Sequence, residues 1–279
     1  MPELPEVETI KRQLQKTIVG KKIKTVDVLL PKIIKTPLAQ FKKAAKGAKI
    51  KKIERRAKIL IFTLDNNLSF LVHLKLTGQL IFQETRDKKQ ETSRSKHTHV
   101  IFNFSDNSRL TFNDLRQFGY IKLVKSADWG QFFLNEKIGP EPLDKDFTLV
   151  DLQALLEKKP KSKIKQFLMD QKNIAGIGNI YADEILFFAN IHPLRQIKTL
   201  KPKEIARIFK GIKTILPQAI KYKGTSAENY LDAFGKKGHF LKKLKVYGKE
   251  GQNCVKCKQA IKRVKIGGRS AHFCLQCQQ

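Results

Sequence analysis

The sequence predicts an α+β multidomain protein: an N-terminal β-sandwich with a leading helix, a helical helix–two-turns–helix domain, and a C-terminal zinc finger β-hairpin. Three observations predict it. Apolar residues recur at helical spacing near the start of the chain and again after residue 148. Between about 22 and 125 they fall into short β-like runs. All four cysteines, Cys254, Cys257, Cys274 and Cys277, lie near the end.

Residues 5–19 read as the leading helix. Pro5 suits its first turn, Glu6 and Glu8 its positive end, and Val7, Ile10, Leu14 and Ile18 share one face before Gly20 ends it. Strand-like runs follow at 22–30, 59–64, 69–74, 99–104, 109–112 and 120–124. Turn signals such as Asp65-Asn66-Asn67 and Ser105-Asp106-Asn107 separate them. Many short strands after one helix predict a sandwich or barrel. The charged, polar stretch 85–96 is expected to be a mobile loop. Residues 129–147, with Gly139-Pro140-Glu141-Pro142, read as a linker. Helical periodicity returns with Leu149, Leu152, Leu155 and Leu156, and later with Ile205, Ile208, Phe209, Ile212, Ile215 and Leu216. The expected division is therefore 1–128, a linker at 129–147, a helical domain at 148–238, and a zinc module at 239–279.

Charge narrows the partner. Fifty-six Lys and Arg against 25 Asp and Glu give a net charge of +31. A compact chain tolerates such self-repulsion best beside a polyanion. A base composition that favours lysine would account for part of the excess, but not for its uneven placement. No apolar run reaches the roughly 20 residues a membrane span requires. The start, MPELPEVETI, has no apolar signal core. A soluble, intracellular protein is expected.

The cysteines read C-x2-C-x16-C-x2-C. Each Cys-x-x-Cys pair can place two thiolates on one tetrahedral ion, so a single structural Zn²⁺ is expected. Four thiolates would fill its coordination sphere and leave no position for substrate; His272, nearby, is not needed. The alternative is a redox thiol pair, which does not require two matched pairs. From Lys236 onward there are 12 Lys and Arg against one acid, Glu250. A rigid basic hairpin suits phosphate binding, with Gly267-Gly268-Arg269 at its tip and Arg269 able to bind a phosphate in bidentate fashion.

Residues 163–170 form a short amphipathic helix, followed by glycines at 176 and 178 and a second helix that begins near Asn179, an N-cap position. Free N–H groups at such a helix start can bind an anion. A plain structural hairpin is the alternative. Pro2 offers a different chemistry. If Met1 is removed, Pro2 carries a free secondary α-amine, with a pKa near 8 against about 10.4 for lysine. Such an amine can attack a deoxyribose C1′ and form an iminium, with Glu3 beside it as a proton shuttle.

Taken together, PELPEVET at the start, RRAK at 55–58, GNIYADE at 178–184 and the four-cysteine hairpin resemble formamidopyrimidine-DNA glycosylase, in that family's order and over essentially the whole chain. The resemblance implies a bifunctional base-excision-repair enzyme. It would remove oxidised purines (8-oxoguanine, formamidopyrimidines) through a Pro2 Schiff base and then cut the abasic site by β,δ-elimination. Its partner would be damaged double-stranded DNA. The protein would be a monomer in the bacterial cytoplasm, nucleoid-associated when bound, with no membrane partner. In that reading Pro2 is the nucleophile, Glu3 the acid that opens the sugar ring, and Glu6 a residue that holds the helix and site. Lys58 is a proton donor or phosphate contact in the first elimination, and Arg269 grips the backbone near the flipped nucleotide and assists the second. His97, Arg116, Lys161 and Asn179 match DNA-contact positions, with His73 and Lys165 as further contacts. Leu76, Arg116 and Phe118 match the residues that fill the hole left by a flipped nucleotide. Leu76 stands where Met is usual, and Gln117 where a second basic residue is common. The stretch 223–240 resembles the lesion-recognition loop.

Bland readings accompany the single residues. Leu76 and Phe118 could be core, Lys58 a solvated lysine, Glu6 a partner of the helix dipole, and His97 and His99 exposed loop residues. Two functional alternatives also stand: a non-catalytic zinc-containing DNA-binding protein, and a pyrimidine-directed glycosylase resembling endonuclease VIII. Retention of Pro2 and Glu3 weighs against the first. Leu4, where that branch has Gly, weighs against the second.

Overall fold

The computed structural model describes residues 1–84 and 95–279, so the predicted loop at 85–96 falls outside the described residues except for Ser95 and Lys96. The chain forms two compact units. Unit 1 comprises Met1–Asn135 and Tyr222–Leu241; unit 2 comprises Glu136–Lys221 and Lys242–Gln279.

Unit 1 opens with α1, Leu4–Thr17. Val7, Ile10, Leu14 and Ile18 are all fully buried, which is the face the sequence selects. Two four-stranded antiparallel sheets follow. One has the order β1 (Ile23–Val28), β6 (Thr98–Phe104), β7 (Arg109–Asp114), β5 (Gly78–Gln83). The other has the order β2 (Ile50–Arg56), β3 (Ile59–Leu64), β4 (Leu68–His73), β8 (Tyr120–Lys125). Their inner faces supply one core with α1 and α2 (Leu38–Ala45), including Phe41, Phe62, Phe70, Phe102 and Phe112. Phe70 lies 5.0 Å from Phe41 and 5.7 Å from Phe102, ring to ring. Strands β2 and β5 have no counterpart in the sequence reading. Five of the seven residues of β2 are charged, yet Ile50 and Ile53 point inward and are buried. Helix α3, Trp129–Asn135, occupies the first part of the expected linker, with Phe133 buried.

Unit 2 contains α4 (Leu149–Glu157), α5 (Ile164–Met169), α6 (Asn179–Ala189), α7 (Pro202–Lys221) and the hairpin β9 (Lys262–Ile266), β10 (Arg269–Phe273). Thr148 caps α4, with Asp151 accepting the Thr148 N–H at 2.7 Å in return. Residues 136–147 pack here as ordered chain: Gly139 N–H donates to the Gln171 carbonyl, and the Pro140 carbonyl accepts from Ala175. The hairpin has a small core of Phe187, Val246, Cys254, Ile261 and Cys274. Glu184, buried on α6, accepts the backbone N–H groups of Lys245, Val246 and Tyr247. Burial raises its carboxyl pKa, and these donors oppose the rise.

Candidate active site and nucleic-acid interface

In unit 1 the start of the chain is buried: Pro2 is enclosed, and Glu3 and Glu6 are 2% and 1% exposed. The Glu6 carboxylate makes two backbone contacts. One oxygen accepts the Glu3 N–H at 2.8 Å, and the other accepts the Thr225 N–H at 2.7 Å. Glu6 is therefore more than a helix-dipole partner, because it ties the foot of the 223–240 loop to the first residues of α1. Gly224 (φ +79°) is required there, since a Cβ would lie 2.8 Å from Glu6 Oε1. Gly238 has a similar constraint, with a Cβ placed 2.3 Å from the Gly224 carbonyl oxygen. Further along the loop, Gln13 on α1 donates to Asp232 at 2.8 Å and accepts from the Ala233 N–H at 2.9 Å. Buried Tyr230 has its pKa raised well above the usual value by desolvation, then by Glu6 and Asp232. These anchors place 222–238 in unit 1, although its sequence neighbours are helical.

Lys58 follows Ala57, which adopts φ +54° in the turn between β2 and β3, and it is buried. That excludes the solvated-lysine reading. Arg55 braces the turn by donating to the Ala57 carbonyl at 2.8 Å and to Glu8 on α1 at 3.0 Å. Burial would raise the Glu8 carboxyl, but Arg12, Arg55 and Lys11 outweigh it and hold the pKa below its usual value. His73, at the end of β4, pairs in register with Ile59. Its Nδ1 accepts the Lys75 N–H at 3.0 Å, leaving Nε2 as the donor. Desolvation, then Lys75 and Lys58, lower its pKa to about 3, so the ring is neutral near pH 7.

Phe118 is 54% exposed and is not core. Arg116 is exposed and stacks on it, with Cζ 4.9 Å from the ring centroid. Leu76 is half-buried, as is His97. His99 differs from the exposed-loop reading: it is buried, with Nε2 2.8 Å from the Asp114 carbonyl oxygen.

In unit 2, Gly178 is the N-cap of α6 and Asn179 its first helical residue, one position from the expected cap. The short Asn179 side chain therefore does not close the helix, and its Oδ1 is buried with no hydrogen-bond partner among the described residues. Gln171 shapes the preceding turn, accepting from Gly176 N–H at 2.8 Å and donating to the Ile177 carbonyl at 2.7 Å. Lys161 is exposed, as a phosphate contact requires. Lys165 is not: it is 0% exposed, its ammonium 2.6 Å from both Asp183 Oδ1 and the Ser270 carbonyl oxygen. Its assignment as a DNA contact is corrected here, because a fully enclosed, ion-paired ammonium cannot reach a phosphate. The other Asp183 oxygen accepts the His272 N–H at 2.9 Å. Lys165 and Asp183 thus join α5 and α6 to β10. Arg269 begins β10, exposed, after Gly267 (φ 53°) and Gly268 (φ 78°), a turn in which both central residues need positive φ.

The four cysteine sulfurs lie within 4.8 Å of one another, with Cys254 and Cys277 at 3.9 Å and Cys257 and Cys274 at 3.3 Å. A tetrahedron with Zn–S bonds of about 2.3 Å has edges of roughly 3.8 Å, so the set fits one structural zinc ion. Burial and then hydrogen bonds with the neighbouring thiols push Cys277 up to about 12, and a bound divalent cation would favour the thiolate instead. All four donors are protein thiols, so the ion would hold the hairpin and take no part in turnover. Chelation is expected to disorder residues 251–279, Arg269 among them, and to weaken DNA binding far more than it slows base excision measured in single turnover at saturating enzyme. Parallel titrations of affinity and rate against a chelator check this.

Three family models match: the formamidopyrimidine-DNA glycosylase N-terminal domain over residues 1–121, the H2TH domain of the same glycosylase over 138–230, and the zinc finger found in FPG and IleRS over 251–279. The formamidopyrimidine-DNA glycosylase of Carboxydothermus hydrogenoformans is 45% identical over 262 residues, 94% of this chain and 93% of its own. A Lactococcus lactis Fpg mutant, solved with Fapy-dG containing DNA, superposes with a TM-score of 0.92 at 38% identity, covering 100% of both chains. Wild-type Lactococcus lactis Fpg, solved with an oxidised pyrimidine containing DNA, gives 0.91 at the same 38% identity and 100% coverage of both chains. The chain belongs to the formamidopyrimidine-DNA glycosylase family. Among the described residues, no helix is long and apolar enough to cross a membrane.

Proposed function

We propose that this chain excises oxidised purines, 8-oxoguanine and formamidopyrimidines, from duplex DNA and then cleaves the abasic site by β,δ-elimination. The observation that carries the reading is the buried chain start, where one carboxylate, Glu6, fixes both the Glu3 backbone and the Thr225 foot of the loop. That end is built to hold a nucleophile still. With Met1 removed, the Pro2 nitrogen bonds to C1′, the glycosidic bond breaks, and its electron pair leaves with the base, which takes up a proton. Glu3 delivers a proton to the sugar ring oxygen as the ring opens. The resulting iminium acidifies C2′–H, so loss of that proton expels the 3′ phosphate, and a second elimination expels the 5′ phosphate. Lys58, buried beside the β2–β3 turn, serves the first elimination. Arg269, Lys161 and Asn179 take backbone phosphates, with His73 and His97 as further contacts. Leu76, Arg116 and Phe118 fill the vacated stack. The working form is a monomer in the bacterial cytoplasm, nucleoid-associated when bound.

Borohydride added during reaction with an 8-oxoguanine·cytosine duplex tests this. Expected is a covalent protein–DNA adduct that depends on a mature Pro2 terminus. Reversible binding with an intact strand would instead leave a zinc-containing DNA binder. A broader substrate range has one observation in its favour, the oxidised pyrimidine in the DNA of the Lactococcus lactis complex. In that case, pyrimidine lesions would yield the same adduct at a lower rate.

A further inference from the structure

The three side chains assigned to the vacated stack come from two separate segments of unit 1. Leu76 lies in the turn closed by the Gly78 N–H on the Leu74 carbonyl, with Lys75 at φ 50°. Arg116 and Phe118 lie on the loop between β7 and β8, with Gln117 at φ 58°. A wedge works only if its parts keep a fixed spacing before they meet DNA.

One buried pair links the segments. Thr77, next to Leu76, donates its hydroxyl to Asp114 Oδ1 at 2.5 Å. The same hydroxyl oxygen accepts the Arg116 N–H at 2.9 Å. Asp114 Oδ1 also accepts the Arg116 N–H at 3.2 Å, and Oδ2 accepts the Gly119 N–H at 2.7 Å. Both carboxylate oxygens are therefore engaged, and Asp114 is 1% exposed. Gly119 completes the fit: a Cβ there would lie 2.6 Å from Phe112 Cζ and 3.0 Å from Asp114 Oδ2. The Asp114 backbone extends the link, its N–H donating to the His97 carbonyl.

We propose that Thr77 and Asp114 are positioning residues that lock the Leu76 turn to the Arg116–Phe118 loop, so that all three side chains enter the stack as one preformed unit. The proposal rests on the wedge role given to those side chains above. Asp114 must be a carboxylate, because an asparagine amide would turn an N–H toward either Gly119 or the Thr77–Arg116 pair. Thr77 must carry a hydroxyl that donates and accepts at once, which serine can supply and valine cannot.

The test uses the full-length protein and a lesion duplex with 2-aminopurine opposite the lesion, which reports unstacking as the wedge enters. Expected is wedge entry about tenfold slower in Thr77→Val, more so in Asp114→Asn, and near wild type in Thr77→Ser. Cleavage of a preformed abasic site in single-stranded DNA, which has no stack to enter, should stay at the wild-type rate in Thr77→Val. The proposal is overturned if Thr77→Val enters as fast as wild type. It is equally overturned if Thr77→Val loses single-strand cleavage in the same proportion, the sign of general loosening. A wild-type protein that neither unstacks nor cuts the lesion duplex would sink the underlying reading too, and the wild-type trace alone shows which has failed.

Discussion

Replacing Lys165 by methionine is expected to destabilise the protein by about 3–5 kcal/mol without changing the salt dependence of DNA binding. Methionine keeps most of the volume but removes the ammonium 2.6 Å from Asp183 Oδ1, leaving a carboxylate 1% exposed without its lysine partner. The loss should appear as a lower urea midpoint with an unchanged m-value. Adding Asp183→Asn should recover much of it, because the penalty comes from stranding one charge rather than from lacking the pair. The DNA measurement separates this role from phosphate binding. A lysine on a phosphate contributes about one unit to the slope of log affinity against log salt, and its loss would flatten the plot. A lysine that holds β10 through Asp183 and the Ser270 carbonyl lowers affinity with the slope preserved. A flattened slope with normal stability would restore Lys165 to the interface.

Lys165 also shows where sequence reasoning stops. Its place in KIKQFLMD marks a basic residue on an amphipathic helix, and such residues normally face solvent. Its partner, Asp183, sits on α6 among Ile, Tyr, Ala, Leu and Phe, an acid on a helix otherwise too apolar to expose. Asp183 and Glu184 carry no expectation in the sequence reading, although a helix this apolar signals that its acids are buried and need donors. Which donors they meet depends on long-range packing. The helical periodicity of α1 identified its buried face correctly, and six of the strands were visible because their apolar residues cluster. Strand β2 was hidden by its charges, since a strand with one exposed face needs only Ile50 and Ile53 to anchor it. The zinc ligands were plain from spacing alone. Thr77 and Asp114 carried no signal of their own: each contacts the other across 37 positions, and polar residues near turns are usually solvated. Motifs point to the candidate reactive groups, whereas the side chains that hold them emerge only from tertiary contacts.

Glu3→Gln is expected to separate base excision from strand cleavage, with excision of 8-oxoguanine from duplex DNA falling by about 10²- to 10⁴-fold. Glutamine matches glutamate in size and leaves the Glu3 N–H on Glu6 Oε2 intact, so the chain start keeps its place. What it lacks is a proton to give to the sugar ring oxygen. That proton matters only while the ring is closed and the base attached. A preformed abasic sugar already equilibrates with its open aldehyde, which the Pro2 amine can attack unaided. Borohydride trapping on abasic DNA should therefore survive within about tenfold of wild type, while trapping on lesion DNA disappears. Glu6→Gln should behave differently. A glutamine amide can accept only one of the two N–H groups now bound, from Glu3 and Thr225, and leaves the other facing a donor. Both activities should then fall together, with a stability loss of about 1–3 kcal/mol. If Glu3→Gln instead lost both activities in equal measure, Glu3 would have to act on the amine itself, for instance by setting its protonation, and the assignment of the ring-opening proton would pass to another group.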